Sequence, residues 1–171
     1  EYDRAMGFCL FNNAAVAAHH ARKRYGLKRI AVMDFDVHHG NGTQDLFYND
    51  PDLFYCSTHQ WPLYPGTGAE TERGSANNIL NVGLTAGAGT AEMQAAFNQT
   101  VLPGISAFKP ELLIISAGFD AHKNDPLAGL CFETDDFVWM TRQLMALADA
   151  QCQGRLVSLL EGGYDLPSLA D

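Results

Sequence analysis

Four groups of residues in this sequence have types that do chemistry and lie at, or just past, the end of an apolar run. Asp34, Asp36 and His38 close the run that begins at Arg29; Ser57, Thr58 and His59 follow Leu53 to Cys56. Asp120 comes just after the run ending at Ser116, and Tyr164 just after the last one. In an extended segment, residues two apart point the same way, so Asp36 and His38 can face one point. With Asp120 they make two carboxylates and one imidazole, an open three-ligand set for a catalytic divalent ion with room for water and substrate. The oxygen and nitrogen mix suits zinc, and ferrous iron or cobalt is also acceptable. Read alone, Asp-x-Asp-x-His fits turn and cap residues equally well, and the glycines of His39-Gly-Asn-Gly42 fit an ordinary turn.

Holding these groups at one edge is a task for a parallel sheet. Apolar runs at Ile30–Asp34, Leu53–Thr58, Ile79–Val82, Leu112–Ser116 and Leu156–Leu160 read as five strands alternating with helical patterns, which predicts a three-layer α/β/α fold with a central parallel sheet. Open sheets of this kind put their ligands at the carboxyl ends of the strands. Asn12 or Asn13 is expected to cap a helix ending near Tyr25, with Ala14, Ala17, Ala21 and Tyr25 as its apolar stripe and Gly26 past its end. A short helix is expected around Thr43–Tyr48. Thr90 is expected to cap a helix through Phe108 that kinks at Pro103. Thr134 opens another, with Asp135 and Asp136 in its first turn, Phe137, Met140, Leu144 and Leu147 inward, and Gly154 at its end. The stretch from His59 to Asn77 is the main irregular region.

The bulk properties are those of one domain. The chain has 171 residues, 47% of them apolar and 18% charged, with a net charge of −9. Such a surface disfavours nucleic acid and anionic membranes and attracts cationic ligands. Cys9, Cys56, Cys131 and Cys152 form no Cys-x-x-Cys pair, which argues for a reducing compartment and a cytoplasmic location. No stretch approaches the apolar length of a membrane span. The opening without Met and the ending Leu-Pro-Ser-Leu-Ala-Asp171 suggest a piece cut at both ends.

The ordered motifs Gly7-Phe-Cys-Leu-Phe-Asn-Asn13, Asp34-Phe-Asp-Val-His-His-Gly-Asn-Gly-Thr43, Tyr64-Pro-Gly-Thr-Gly68, Ser116-Ala-Gly-Phe-Asp-Ala-His122, Asp125-Pro-Leu-Ala-Gly129 and Glu161-Gly-Gly-Tyr164 resemble the histone deacetylase and acetylpolyamine amidohydrolase superfamily, in its class II and bacterial form, essentially end to end. The resemblance implies an arginase/deacetylase-like fold, with residues 1–171 as a partial catalytic domain. It implies a zinc-dependent hydrolase acting on an acylated amine, either an acetyl-lysine peptide or an acetylpolyamine. Asp36, His38 and Asp120 would be the metal ligands and Tyr164 the donor to the transition state. Phe8 and Tyr64 would wall the acyl-lysine tunnel. A structural potassium ion would sit around Asp34, Asp36, His38, Ser57 and Thr58, and Asn41 would stand beside a catalytic histidine. Cys9 is expected to be a small buried or tunnel-floor side chain.

The family's tandem His-His-Ala, which moves protons, would lie upstream of Gly7. His19-His20-Ala21 imitates it on the wrong side of that motif, about 10 Å into a helix at about 1.5 Å per residue, and both histidines are expected on its solvated surface. His39 is expected to orient the ligand loop, while His59 and His122 are expected to be satisfied or solvated. Without the upstream pair, residues 1–171 are expected to be inactive alone. Two alternatives remain at this point: a deacetylase-like module that binds acyl groups without hydrolysing them, and a dimanganese ureohydrolase relative, which needs more bridging carboxylates than the sequence offers. Substrate identity and oligomeric state are not legible.

Overall fold

The computed structural model describes residue 1 and residues 3–171. Its strands are β1 (Ile30–Asp34), β2 (Leu53–Gln60), β3 (Ile79–Leu84), β4 (Leu112–Ala117) and β5 (Leu156–Leu160). All pair in parallel, in the order β3-β2-β1-β4-β5. The central β1 and β4 are buried on both faces, which is why they read as unbroken apolar runs instead of alternating ones. The register sets Asp34 opposite Ser57 on one side and Ser116 on the other, so these polar residues mark one edge.

The helices form the outer layers. Ile30 and Val32 of β1 face α1 (Asn13–Tyr25) and α2 (Asn41–Phe47). Ala31, Met33 and Phe35 face the layer built from α3 (Thr90–Ala96), α4 (Leu102–Phe108) and α5 (Thr134–Gln151). A short α6 (Leu166–Ala170) ends the chain. The expected three-layer α/β/α arrangement is therefore the observed one.

Local details differ from the sequence reading. Asn12 caps α1 by accepting from the Ala15 amide, and Gly26 closes it in the left-handed region at φ 69°. The buried face is Ala14, Ala15, Ala18 and Ala21, whereas Tyr25 is exposed. Four alanines let the helix lie close on the sheet, while Tyr25 sits beyond it under the Arg24 guanidinium. His19 and His20 are exposed on α1, as expected. Gly89, not Thr90, caps α3, with the Glu92 carboxylate accepting from its amide. The kink expected at Pro103 is a π-helical turn over Phe97–Val101 that separates α3 from α4. Widening the turn just before Pro103 accommodates a residue without an amide proton. Glu133 caps α5 with Asp136 accepting from its amide, so Thr134 is the first helical residue. Ala148 completes the core face of α5, and Leu147 packs at its margin. Finally, β2 runs two residues beyond the expected Thr58, to Gln60, so His59 lies inside it and not after it.

The order of strands matters for function. The chain leaves β1 outward through β2 and β3, then returns to the other side of β1 with β4. The carboxyl ends of β1 and β4 thus flank the point where the winding reverses, the place where open sheets form ligand crevices.

Candidate metal centre

Asp36 and His38 leave the end of β1, and Asp120 leaves the end of β4, across that reversal point. His38 Nδ1 lies 3.1 Å from Asp36 Oδ1 and 3.1 Å from Asp120 Oδ2. One ligand atom from each of the three lies within 4.8 Å of the others. The second carboxylate oxygens are tied back to the chain: Asp120 Oδ1 accepts from the Val37 amide at 2.9 Å, and Asp36 Oδ2 from the Gly162 amide at 2.8 Å. The three side chains are aimed before any ligand arrives.

The electrostatics call for a cation. Burial works against the His38 imidazolium, but hydrogen bonds to Asp120 and Asp36 outweigh it and raise its pKa to about 10. Burial, opposed by His38 and helped by the Asp36 charge, raises Asp120 to about 6. Glu161 is raised by burial and then by Asp36. Among the described residues no lysine or arginine pairs with Asp34, Asp36 or Asp120. Two carboxylate oxygens and an imidazole nitrogen at this spacing fit zinc, and equally ferrous iron or cobalt.

Behind the cluster lies a residue that the sequence reading missed. Tyr55, fully buried in β2, donates its hydroxyl to Asp34 Oδ2 at 2.9 Å and accepts from the Gly40 amide at 2.8 Å. Asp34 Oδ1 accepts from the Asp36 amide at 3.1 Å. Burial and then the Asp36 charge push the Asp34 carboxyl well above its usual range. A monovalent cation beside Asp34 and Ser57, its neighbour in register, would relieve that cost. The pleat turns the Thr58 side chain to the opposite face from Ser57. There its hydroxyl is buried without a hydrogen-bond partner among the described residues.

A cleft of about 750 Å³ opens over the cluster, lined by Phe8, Cys9, Asn41, Tyr64, Leu127, Glu161 and Tyr164 among others. This is within the usual size of small-ligand pockets. Phe8 is 90% exposed and meets Tyr164 edge-on at 6.3 Å between ring centres, and Tyr64 meets His38 edge-on at 6.2 Å. The two aromatics expected as tunnel walls are therefore both at the cleft. Cys9 is exposed on its wall instead of buried. Burial, followed by Asp120 and Asp36, raises the Tyr164 hydroxyl to about 12, so it carries its proton at neutral pH. Asn41 opens α2 and donates to Glu1 Oε1 at 3.2 Å.

The other histidines near the site are spoken for. His39 Nδ1 meets Thr67 Oγ1 at 2.8 Å and Nε2 meets Gln44 Oε1 at 3.0 Å, while burial lowers its pKa. His59 bonds Ser57 Oγ and the Gly68 carbonyl, and burial followed by the neighbouring His39 lowers it to about 4. Together they pin the irregular loop that carries Tyr64. His122 is buried and accepts from the Asn124 amide. Leu127 and Asp125 also escaped the sequence reading as site residues. The motif that contains them was visible, but only the folded chain brings it to the cleft.

Comparison with known proteins places the chain in a family. A family profile described as the histone deacetylase domain matches residues 1–171. The chain is 49% identical over 168 residues to histone deacetylase 10, chloroplastic, of Oryza sativa subsp. japonica, covering 96% of this chain and 38% of that protein. It is 44% identical over 167 residues to the histone deacetylase-like amidohydrolase of Pseudomonas aeruginosa, covering 95% of this chain and 44% of that one. The crystal structure of the HDA15 HD domain superposes with a TM-score of 0.89 at 43% identity, over 98% of this chain and 48% of that one. The chain thus spans about two fifths of these curated relatives. With the fold, the motif order and the profile in agreement over the whole length, the chain belongs to the histone deacetylase domain family.

Proposed function

We propose that these residues form the metal-holding side of a hydrolase that removes acyl groups from amines. The observation that carries this reading is the convergence of Asp36, His38 and Asp120 within 4.8 Å beneath the Tyr164 hydroxyl's cleft. A divalent ion held there, most simply zinc, would polarise an amide carbonyl and activate a water. Tyr164 would donate its proton-bearing hydroxyl to the oxygen on which charge develops, an interaction that grows in the transition state. Phe8 and Tyr64 would hold the acylated chain between their rings. Asp34, held by Tyr55, and Asn41 would orient histidines that move the protons. Those histidines are not His38, which serves the metal, nor His39, whose nitrogens are both occupied. Turnover is accordingly expected of the full-length protein and not of residues 1–171 alone. A potassium ion beside Asp34 and Ser57 would balance the buried carboxylates.

The substrate is proposed to be an acetyl-lysine peptide or an acetylpolyamine; the chain's charge of −9 suits either. Neither nucleic acid nor membrane is proposed as a partner. Among the described residues no helix is long and apolar enough to cross a membrane. The four cysteines are unpaired, which supports a reducing compartment such as the cytoplasm; the rice relative is named chloroplastic.

Metal analysis of the full-length protein, together with turnover of an acetyl-lysine reporter, tests the reading. One ion per site, lost together with activity in Asp120→Ala, is the expected result. Two ions about 3.5 Å apart would replace it with a dinuclear chemistry, and full activity in Asp120→Ala would remove it.

A further inference from the structure

We propose that Asp125 is a positioning residue that fixes Tyr164 over the metal centre. The proposal rests on the hydrolase reading above and adds to it a residue that touches neither metal nor substrate. Asp125 is buried, and its two carboxylate oxygens divide their bonds between two walls of the cleft. Oδ2 accepts from the Tyr164 amide at 2.8 Å, and Oδ1 accepts from the Leu127 amide at 2.9 Å. Its own amide donates to the His122 carbonyl at 2.9 Å, which anchors it to the segment that follows Asp120.

The need for such an anchor follows from the backbone around Tyr164. β5 ends at Leu160, and Gly163 then adopts φ 139°, a conformation open to glycine and strained for other residues. The turn is held from the other side by the Gly162 amide on Asp36 and by the Gly162 carbonyl, which accepts from Phe119. Tyr164 itself is 40% exposed, and among the described residues its aromatic neighbour is the still more exposed Phe8, met edge-on. Packing therefore does little to fix it. With the Gly162 amide bound to a metal ligand and the Tyr164 amide bound to Asp125, the two residues flanking the glycine are both clamped by carboxylates. A charged acceptor makes the stronger, shorter hydrogen bond, and one buried carboxylate serving two amides holds both at a fixed separation. The hydroxyl is thereby placed, and a displacement on the order of 1 Å can cost about 10²-fold in rate.

The test uses Asp125→Asn in the full-length protein, alone and combined with Tyr164→Phe. Asn keeps the shape, but one of its two terminal groups is now a donor facing an amide proton. We expect kcat to fall about 10- to 10²-fold with one metal ion still bound. In the Tyr164→Phe background the same substitution should cost less than about 3-fold, because residues acting as a unit are non-additive. An equal loss in both backgrounds would overturn the positioning role while leaving the hydrolase reading intact. A Tyr164→Phe enzyme as fast as the parent would instead remove the hydrolase role of Tyr164. A readout free of turnover accompanies it: in protein with ¹³C-labelled tyrosine, the signal missing from Tyr164→Phe should shift or broaden in Asp125→Asn, with the other tyrosines unmoved. An unchanged Tyr164 signal would equally overturn the proposal. If Asp125→Asn does not fold, Asp125→Ser, smaller and able to reach only one amide, carries the same comparison.

Discussion

At the residue scale the site is a set of carboxylates that a proton or a metal must share. His38 and Asp120 both have pKa values raised by the fold, to about 10 and about 6. A raised pKa contributes stability that is complete below the unfolded value and lost as pH rises through the folded one. For the metal-free protein, the Asp120 contribution fades between about pH 4 and 6 and the His38 contribution between about pH 6.5 and 10. Its melting temperature should therefore fall as pH rises across the second window in chelator. With saturating zinc the fall should shrink or reverse, because metal replaces the proton; scanning calorimetry with and without chelator reads this directly. Tyr164 offers a second check. If its hydroxyl serves the transition state, Tyr164→Phe should lower kcat by roughly 10²–10³ and leave KM nearly unchanged. A ring that only grips substrate would keep kcat in the Phe variant. The pKa of about 12 also means that no loss of activity below about pH 11 should trace to this group.

At the element scale, strand ends and the turns after them do the positioning, and glycine makes the close approach possible. A Cβ on Gly162 would overlap the Asp120 carboxylate and press on that of Asp36, and one on Gly118 would overlap Asp36. Gly162→Ala should thus displace two of the three proposed ligands at once. We expect well under half the parent's metal content in the purified variant, whereas Gly87→Ala, with open space around it, should keep full metal despite its strained φ. This same level separates what the sequence revealed from what it hid. Strands were legible because buried parallel strands announce themselves as Ile, Val and Leu runs, and Asn12, Gly26 and Gly154 marked helix ends by their own chemistry. Asp36, His38 and Asp120 were legible because each follows such a run. Tyr55 was not, since an aromatic inside a buried strand looks like any core residue until its neighbour in register proves to be β1. Asp125 was hidden because its bonds go to backbone amides, which carry no sequence signal. The stripe expected on α1 shares Ala14 and Ala21 with the buried face but had Ala17 and Tyr25 in place of Ala15 and Ala18, as alanine alone says little about which face is inward.

At the scale of the whole molecule, the feature with the widest reach is the reversal of winding between β1 and β4. His38 and Asp120 stand 82 residues apart in sequence and meet only when those two strands pair. Loop closure of that length is paid before any contact rewards it, so this pairing belongs among the slow, non-local steps of folding. No local fragment of the chain can hold the ion with all three ligands. A metal bound by these three residues would therefore be a latch on a finished fold and not a seed for an unfinished one. Zinc present during refolding should leave the folding rate nearly unchanged and slow unfolding by the full factor of its binding energy, the behaviour of an interaction absent from the transition state. Stopped-flow measurements of both rates, with zinc and with chelator, read that division. In a cell the consequence is one of lifetime: loss of the ion would leave folding as fast as before and shorten how long each molecule stays folded.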